Sequence, residues 1–130
     1  MAKRRFVFAY FHYPLIPVQF IHGNKKTPII EALIDSGGDS VVIPRAIAKY
    51  LGSPLEKTNG AKTAGGMTDL LKTRLDLVIG RDGEKYQYTN LEVYVVDSDD
   101  IPVLLGRYPL FDDFEIIFQK KKGKLILQEA

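Results

Sequence analysis

Few residues in this 130-residue chain are equipped for covalent or acid–base chemistry. Cysteine is absent, which excludes disulfides, thiolate nucleophiles and Cys-ligated metals. The only histidines, His12 and His22, stand in extended apolar sequence with no carboxylate spacing that would complete a zinc site. Both read as ordinary strand or turn histidines, and no metal or cofactor is expected. The exception is "EALIDSGGDSVVIP", Glu31 to Pro44, where Asp35-Ser36-Gly37 separates two apolar, largely β-branched runs. A carboxylate at the end of a buried strand must be used or firmly satisfied. Gly37 can adopt backbone conformations closed to other residues and bring its N–H to a carboxylate oxygen. The Ser36 hydroxyl can donate and accept, and so brace a neighbouring loop. The tripeptide is thus a device for holding a carboxylate rigidly; the plain alternative is an Asx turn between two strands.

The elements around it read as short strands separated by turn signals. "RFVFAYFHY" is aromatic and β-rich, and "PVQFIHG" leads to a turn at Gly23-Asn24-Lys25-Lys26. "TPIIEALID" and "SVVIP" flank the glycines as buried strands. Pro44 suits the first turn of a short helix, "RAIAKYLG", and Gly52 its end. "KTAGGMTDLLKT" sets two polar arms around Gly65-Gly66, a hairpin signal. Leu75, Leu77 and Ile79 alternate on one face before a turn at Arg81-Asp82-Gly83-Glu84 and a further strand, "KYQYTNLEVYVVD". "IPVLLG" is an apolar strand, "RYPLFDDF" holds one helical turn, and "EIIFQ" pairs with "KLILQ" across a lysine-rich turn. Many strands with little helix predict an all-β, closed or orthogonally packed fold with one or two short helices.

Length and composition set the outer limits. The chain suits one domain, residues 1–130. It is 45% hydrophobic and 26% charged with a net charge of +2, which gives no prior for nucleic acid or membrane. Lys3-Arg4-Arg5 reads as a solvated terminus and Lys120–Lys124 as a hairpin tip, not a nucleic-acid surface. The basic start followed by "FVFAYF" is signal-like, but the run stops at His12-Tyr13-Pro14 without a small-residue cleavage site. No stretch is long enough to span a bilayer, and the default location is the cytoplasm.

Taken together, "ALIDSGGDSVVIP", the glycine hairpin "TAGGM" and "VLLGRYPLFDDFEIIF" resemble the retropepsin family of aspartic proteases, in the cellular rather than the viral style. The resemblance runs from about Pro17 to Leu127 and implies a closed retropepsin-like barrel. It implies that Asp35, Ser36 and Gly37 are the catalytic triplet, and that Leu104, Leu105 and Gly106 pack beneath the catalytic loop. Asp39 and Arg107 match an Arg–Asp pair tying that element to the loop. Thr63, Ala64, Gly65, Gly66, Met67 and Thr68 match the flap that folds over bound peptide. Val42, Ile43, Ile101 and Val103 are candidate pocket residues. Asp112 and Asp113 read as solvated helix residues, not a second acid pair.

The chemistry that the resemblance implies needs two carboxylates around one water: one takes a proton from it, the other donates to the peptide carbonyl. Facing carboxylates share a proton because both cannot ionise readily. This chain has one Asp-Ser-Gly; Asp97-Ser98-Asp99 lacks the glycine. The implied enzyme is therefore a homodimer that brings Asp35 of two chains to a twofold axis and cuts extended polypeptides. The aromatic N-terminal run and "KLILQ" are the candidate strands for sharing between chains. Gly38 departs from the family, where alanine or a hydroxyl residue is usual. It offers the carboxylate pair no hydroxyl, so activity is expected to extend into mildly acidic or near-neutral conditions, and the double glycine can loosen the loop. The alternative function is a non-catalytic dimeric module of the same fold that binds peptide by strand addition.

Overall fold

The computed structural model describes residues 3–58, 61–63, 66–68 and 70–130, with 61–63 and 66–68 as backbone. Among these residues the strands are β1 (Arg5–Ala9), β2 (Leu15–His22), β3 (Lys25–Lys26), β4 (Ile30–Ile34) and β5 (Val41–Pro44). They continue as β6 (Glu56–Lys57), β7 (Ala61–Thr63), β8 (Gly66–Thr68), β9 (Leu70–Arg81), β10 (Glu84–Val96), β11 (Val103–Leu105), β12 (Phe114–Gln119) and β13 (Lys124–Glu129). Helix α1 (Arg45–Leu51) follows β5, and the single turn α2 (Leu110–Asp113) precedes β12.

Six strands close a barrel in the order β2-β4-β11-β5-β10-β9, with β9 returning to pair with β2. Closure removes the sheet edges that would otherwise be exposed. The alternation expected for Leu75, Leu77 and Ile79 holds: all three enter the core with Ile16, Val18, Phe20, Ile43, Val93 and Leu105. The β9–β10 hairpin turns at Asp82 and Gly83, both with positive φ, as such tight turns require. Pro44 caps α1 in an extended conformation, and Gly52 ends it left-handed at φ 68°.

The chain ends form a second sheet, β1-β13-β12, packed on the barrel. Within that sheet Phe114 meets Phe6 edge-on at 6.1 Å, and against the barrel it meets Tyr86 edge-on at 4.9 Å between centroids, with the Arg4 guanidinium over Tyr86 at 4.8 Å. The Tyr88 hydroxyl donates to Asp113 Oδ2 at 2.7 Å. Burial and that bond push the Tyr88 phenol above its ordinary range. Asp113 is therefore a structural acceptor at this joint, not the solvated helix residue expected, whereas Asp112 is exposed. No helix among the described residues is long and apolar enough to cross a membrane.

Candidate active site

Asp35 follows β4 directly. β4 runs parallel to β11, and β11 runs antiparallel to β5, so the loop 35–40 must arch over the end of β11 to start β5. Backbone bonds fix that arch. Asp35 N–H donates to the Leu105 carbonyl at 2.9 Å, Gly106 N–H to the Ser40 carbonyl at 3.0 Å, and Arg107 N–H to the Gly38 carbonyl at 2.9 Å. Tyr108 N–H reaches the Asp39 carbonyl at 2.9 Å. A Cβ on Gly106 would lie 2.5 Å from both the N and the O of Ser40, so only glycine lets β11 pass this close beneath the loop. Leu105 and Gly106 thus pass directly beneath the 35–40 loop.

The carboxylate is held as its neighbours allow. Gly37 N–H donates to Asp35 Oδ1 at 3.1 Å, and Gly38 N–H to the Asp35 carbonyl at 3.2 Å. An added Cβ would stand 3.4 Å from Oδ1 at Gly37 but 3.0 Å from Oδ2 at Gly38. The second glycine therefore leaves Oδ2 uncrowded. Ser36 is exposed, and its hydroxyl makes no hydrogen bond among the described residues, so within one chain it braces nothing. Arg107 Nη2 pairs with Asp39 Oδ1, and both side chains are more than half exposed.

The strand register shows what lies beside Asp35. Leu15, Leu33, Leu104, Val42 and Tyr94 are successive partners across β2, β4, β11, β5 and β10. All five are half-buried, while the adjoining rows, such as Ile34-Leu105-Val41, face the core. Leu33 is two residues before Asp35, so the apolar row lies on the carboxylate's side of the sheet. Of the four expected pocket residues, Val42 belongs to this row and Ile101 is half-buried, but Ile43 and Val103 are core residues. Leu33 and Leu104 were not among the expected pocket residues; counting by twos from Asp35 reaches Leu33, and Leu104 is its partner on β11.

The hairpin expected at 63–68 exists as β7 and β8, with Thr63 opposite Gly66 and Lys62 opposite Met67. Gly66 is the first residue of β8, and Ala64 and Gly65 lie outside the described residues. Asp97-Ser98-Asp99 serves α1: Asp97 pairs with Arg45 at 3.5 Å, and Asp99 Oδ1 accepts from Ala46 N–H at 3.3 Å. No group of three or more metal-ligating side chains occurs among the described residues. Grooves of about 540, 520 and 640 Å³ line β1, β9 and α1 without including Asp35. Asp35 itself is half-buried, beside the half-buried apolar row.

Comparison with known proteins agrees with this geometry. No curated protein sequence matches the chain. Among solved structures, a retropepsin-like aspartic protease from Rickettsia conorii aligns with a TM-score of 0.67 at 20% identity, over 98% of this chain and 92% of its own. The EIAV protease, complexed with an inhibitor, aligns at 0.54 and 22% identity over 77% and 86%. The retroviral protease-like domain of Ddi1 from Leishmania major aligns at 0.54 and 13% over 88% and 92%. These likenesses establish a retropepsin-like fold. The aspartyl protease family model matches residues 16–108, the stretch containing the Asp35 loop, the β7–β8 hairpin and Arg107. By that match the chain belongs to the aspartyl protease family.

Proposed function

We propose that the chain, acting as one domain over residues 1–130, is an aspartic endopeptidase whose active site is completed by a second copy of itself. The observation that carries this reading is the treatment of Asp35. Its carboxylate is fixed by Gly37 N–H, its backbone is fixed by Leu105, and it stands half-buried beside the apolar row with no bond to a second carboxylate among the described residues. One carboxylate performs half the chemistry: it can take a proton from water but cannot at the same time donate one to the peptide carbonyl oxygen. A twofold axis beside Asp35 supplies the missing acid from an identical loop.

In this mechanism one Asp35 is ionised and the other protonated, with a water between them. The ionised carboxylate removes a proton as the water attacks the peptide carbonyl carbon, and the protonated one donates to the carbonyl oxygen. The tetrahedral intermediate then collapses, breaking the C–N bond, with a proton delivered to the leaving amine. The water is consumed, giving a carboxyl and an amino terminus. Leu33, Leu104 and Val42 form the apolar floor for substrate side chains, and the β7–β8 hairpin, Thr63 to Thr68, is the flap. Gly106 and the Asp39–Arg107 pair position the loop without touching substrate.

Cleavage of an unfolded protein such as casein by wild type and Asp35→Asn, side by side, tests the assignment. The proposal expects cleavage by wild type and none by the variant. Equal cleavage by both removes Asp35 from the mechanism. Absence of cleavage by either, across pH and with a confirmed dimer, favours the peptide-binding module.

A further inference from the structure

β1 pairs with β13 alone, so its other side is an open strand edge. Alternate residues of an antiparallel strand direct their backbone to opposite neighbours, and the bonds made on one side tell which groups are left on the other. Arg4 O accepts from Glu129 N–H, and Tyr10 N–H donates to Gly123 O. The even-numbered residues of β1 therefore serve β13, and the N–H and carbonyl groups of Arg5, Val7 and Ala9 turn outward. None of these groups has a partner among the described residues. Such an edge is a template for a further strand unless a bulge or a proline blunts it. "RFVFA" contains no proline, and its register is unbroken.

The edge opens on a groove of about 540 Å³ that follows β1 from Phe6 to Ala9. Its far wall is the barrel: Leu15 and Pro17 of β2, Glu31 of β4, and the Arg81–Glu84 turn. Leu15 and Pro17 alternate with the core residues Ile16 and Val18, so they face away from the core. Glu31, Asp82 and Glu84 are exposed, and their side chains make no ion pair or hydrogen bond among the described residues. With only Arg81 beside them, they leave the wall negative. The groove also leads to the active site. Arg4 Nη1 donates to the Lys85 carbonyl at 3.0 Å, so β1 starts beside the β9–β10 turn. Its other end leads into residues 10–14, where the Pro14 carbonyl accepts from Ile34 N–H, next to Asp35. Leu15 belongs to both surfaces, since it lines the groove and begins the apolar row that continues through Leu33 and Leu104. Glu31 and Asp35 are four strand positions apart on one face, about 13 Å.

The geometry points to this groove as a second binding site for the polypeptide substrate, remote from the bond that is cut. A segment of the substrate adds to β1 as a strand, its backbone bonded to Arg5, Val7 and Ala9. Its apolar side chains rest on Leu15 and on Val7, which is 51% exposed, and its basic ones face Glu31, Asp82 and Glu84. This inference rests on the protease reading above and narrows its substrate class to extended chains with apolar and basic residues outside the cleaved bond. A strand along β1 occupies about five residues, and the way to Asp35 takes about four more. Peptides shorter than about nine residues therefore cannot engage both places at once.

Val7→Pro removes an outward N–H and takes no bond from the β1–β13 ladder, a change that edge strands accept. The probe is a fluorescein-labelled decapeptide of alternating valine and lysine, titrated by anisotropy against Asp35→Asn so that binding is read without cleavage. Adding Val7→Pro is expected to weaken binding about tenfold, with the circular dichroism unchanged. Glu31→Lys, at an exposed position, keeps the test open if the proline variant does not fold. It is expected to weaken the valine–lysine peptide and to strengthen its valine–glutamate counterpart. In the active chain, Val7→Pro is expected to raise KM for casein with kcat unchanged, and to leave cleavage of a six-residue casein peptide as it was. Binding indifferent to both substitutions overturns the groove alone. So does a Val7→Pro chain that changes oligomeric state in sedimentation, since a second copy would then cover the edge. Casein left uncut by wild type, while the decapeptide still binds through Val7 and Glu31, overturns the protease reading instead and retains the groove as a strand-binding site.

Discussion

Replacing Gly106 by alanine perturbs the arch over β11 without altering any side chain around Asp35. The added Cβ would stand 2.5 Å from the N and O of Ser40 and 2.9 Å from the carbonyl carbon of Asp39. Comfortable separations are about 3.5 Å or more, so the loop must retreat by about 1 Å. The obstacle is backbone on every side, and no rotamer change relieves it. Overpacking of this kind costs about 1–3 kcal/mol, and the upper end is expected here. For a chain of this size, about 3 kcal/mol lowers Tm by roughly 10 °C. A displacement of about 1 Å in a positioned catalytic group costs about 100-fold in rate. The assay is casein cleavage per folded molecule, with the folded fraction measured by thermal denaturation. Gly52→Ala is the control: its left-handed φ of 68° makes the substitution cost about 1 kcal/mol, but no atom lies within 4 Å of the new Cβ. Its cleavage per folded molecule is expected to equal wild type. If Gly106→Ala matched wild type in Tm and cleavage, the close approach of β11 would not position Asp35.

Gly38→Ser puts a Cβ about 3.0 Å from Asp35 Oδ2 and a hydroxyl within reach of the ionised pair. The variant is expected to fold, to lose cleavage near neutral pH and to shift its pH–rate profile to the acid side; an unshifted profile would show that Gly38 does not set the working range. Arg107→Lys breaks an ion pair whose members are both more than half exposed, so the stability cost is at most about 1 kcal/mol. Cleavage is nevertheless expected to fall, because lysine lacks the planar fork that orients Asp39, and unchanged cleavage would limit the pair to surface chemistry. Tyr88→Phe removes the bond to Asp113 and is expected to cost about 1.5 kcal/mol at neutral pH. The folded phenol titrates above its unfolded value of 10.0, so its contribution is complete below about pH 10 and is lost as pH rises further. Denaturant unfolding between about pH 9 and 11 should show a smaller alkaline loss in the variant. The loss does not vanish, because burial also raises Tyr86.

Much of this architecture was legible because strand periodicity and turn chemistry agree in the sequence. Leu75, Leu77 and Ile79 announce the core face of β9, Asp82-Gly83 its turn, and Pro44 and Gly52 the limits of α1. The arrangement around Asp35 was legible for a local reason: Gly106 has backbone atoms of Ser40 and Asp39 where a Cβ would stand, and Gly37 brings its N–H to the Asp35 carboxylate. What local pattern does not specify is which strands meet. Ile43 and Val103 looked like pocket residues because the sequence around them is uniformly apolar, and only the pairing of β11 between β4 and β5 turns them inward. The terminal strands misled for a similar reason. "KLILQ" is apolar enough for an interface, but both its edges are taken by β1 and β12. The Tyr88–Asp113 bond joins residues 25 apart in sequence, through a register shift in β10 that no turn signal announces.

A mixing experiment most directly tests whether Asp35 acts as half of a pair. Wild type and Asp35→Asn are unfolded together, refolded at constant total protein and assayed on casein as the wild-type fraction is varied. If two Asp35 side chains from different copies form the site, mixed dimers are inactive and activity follows the square of the wild-type fraction, falling to about one quarter in an equimolar mixture. An active site complete within one chain would instead give a linear loss, with about one half remaining, and would contradict the account.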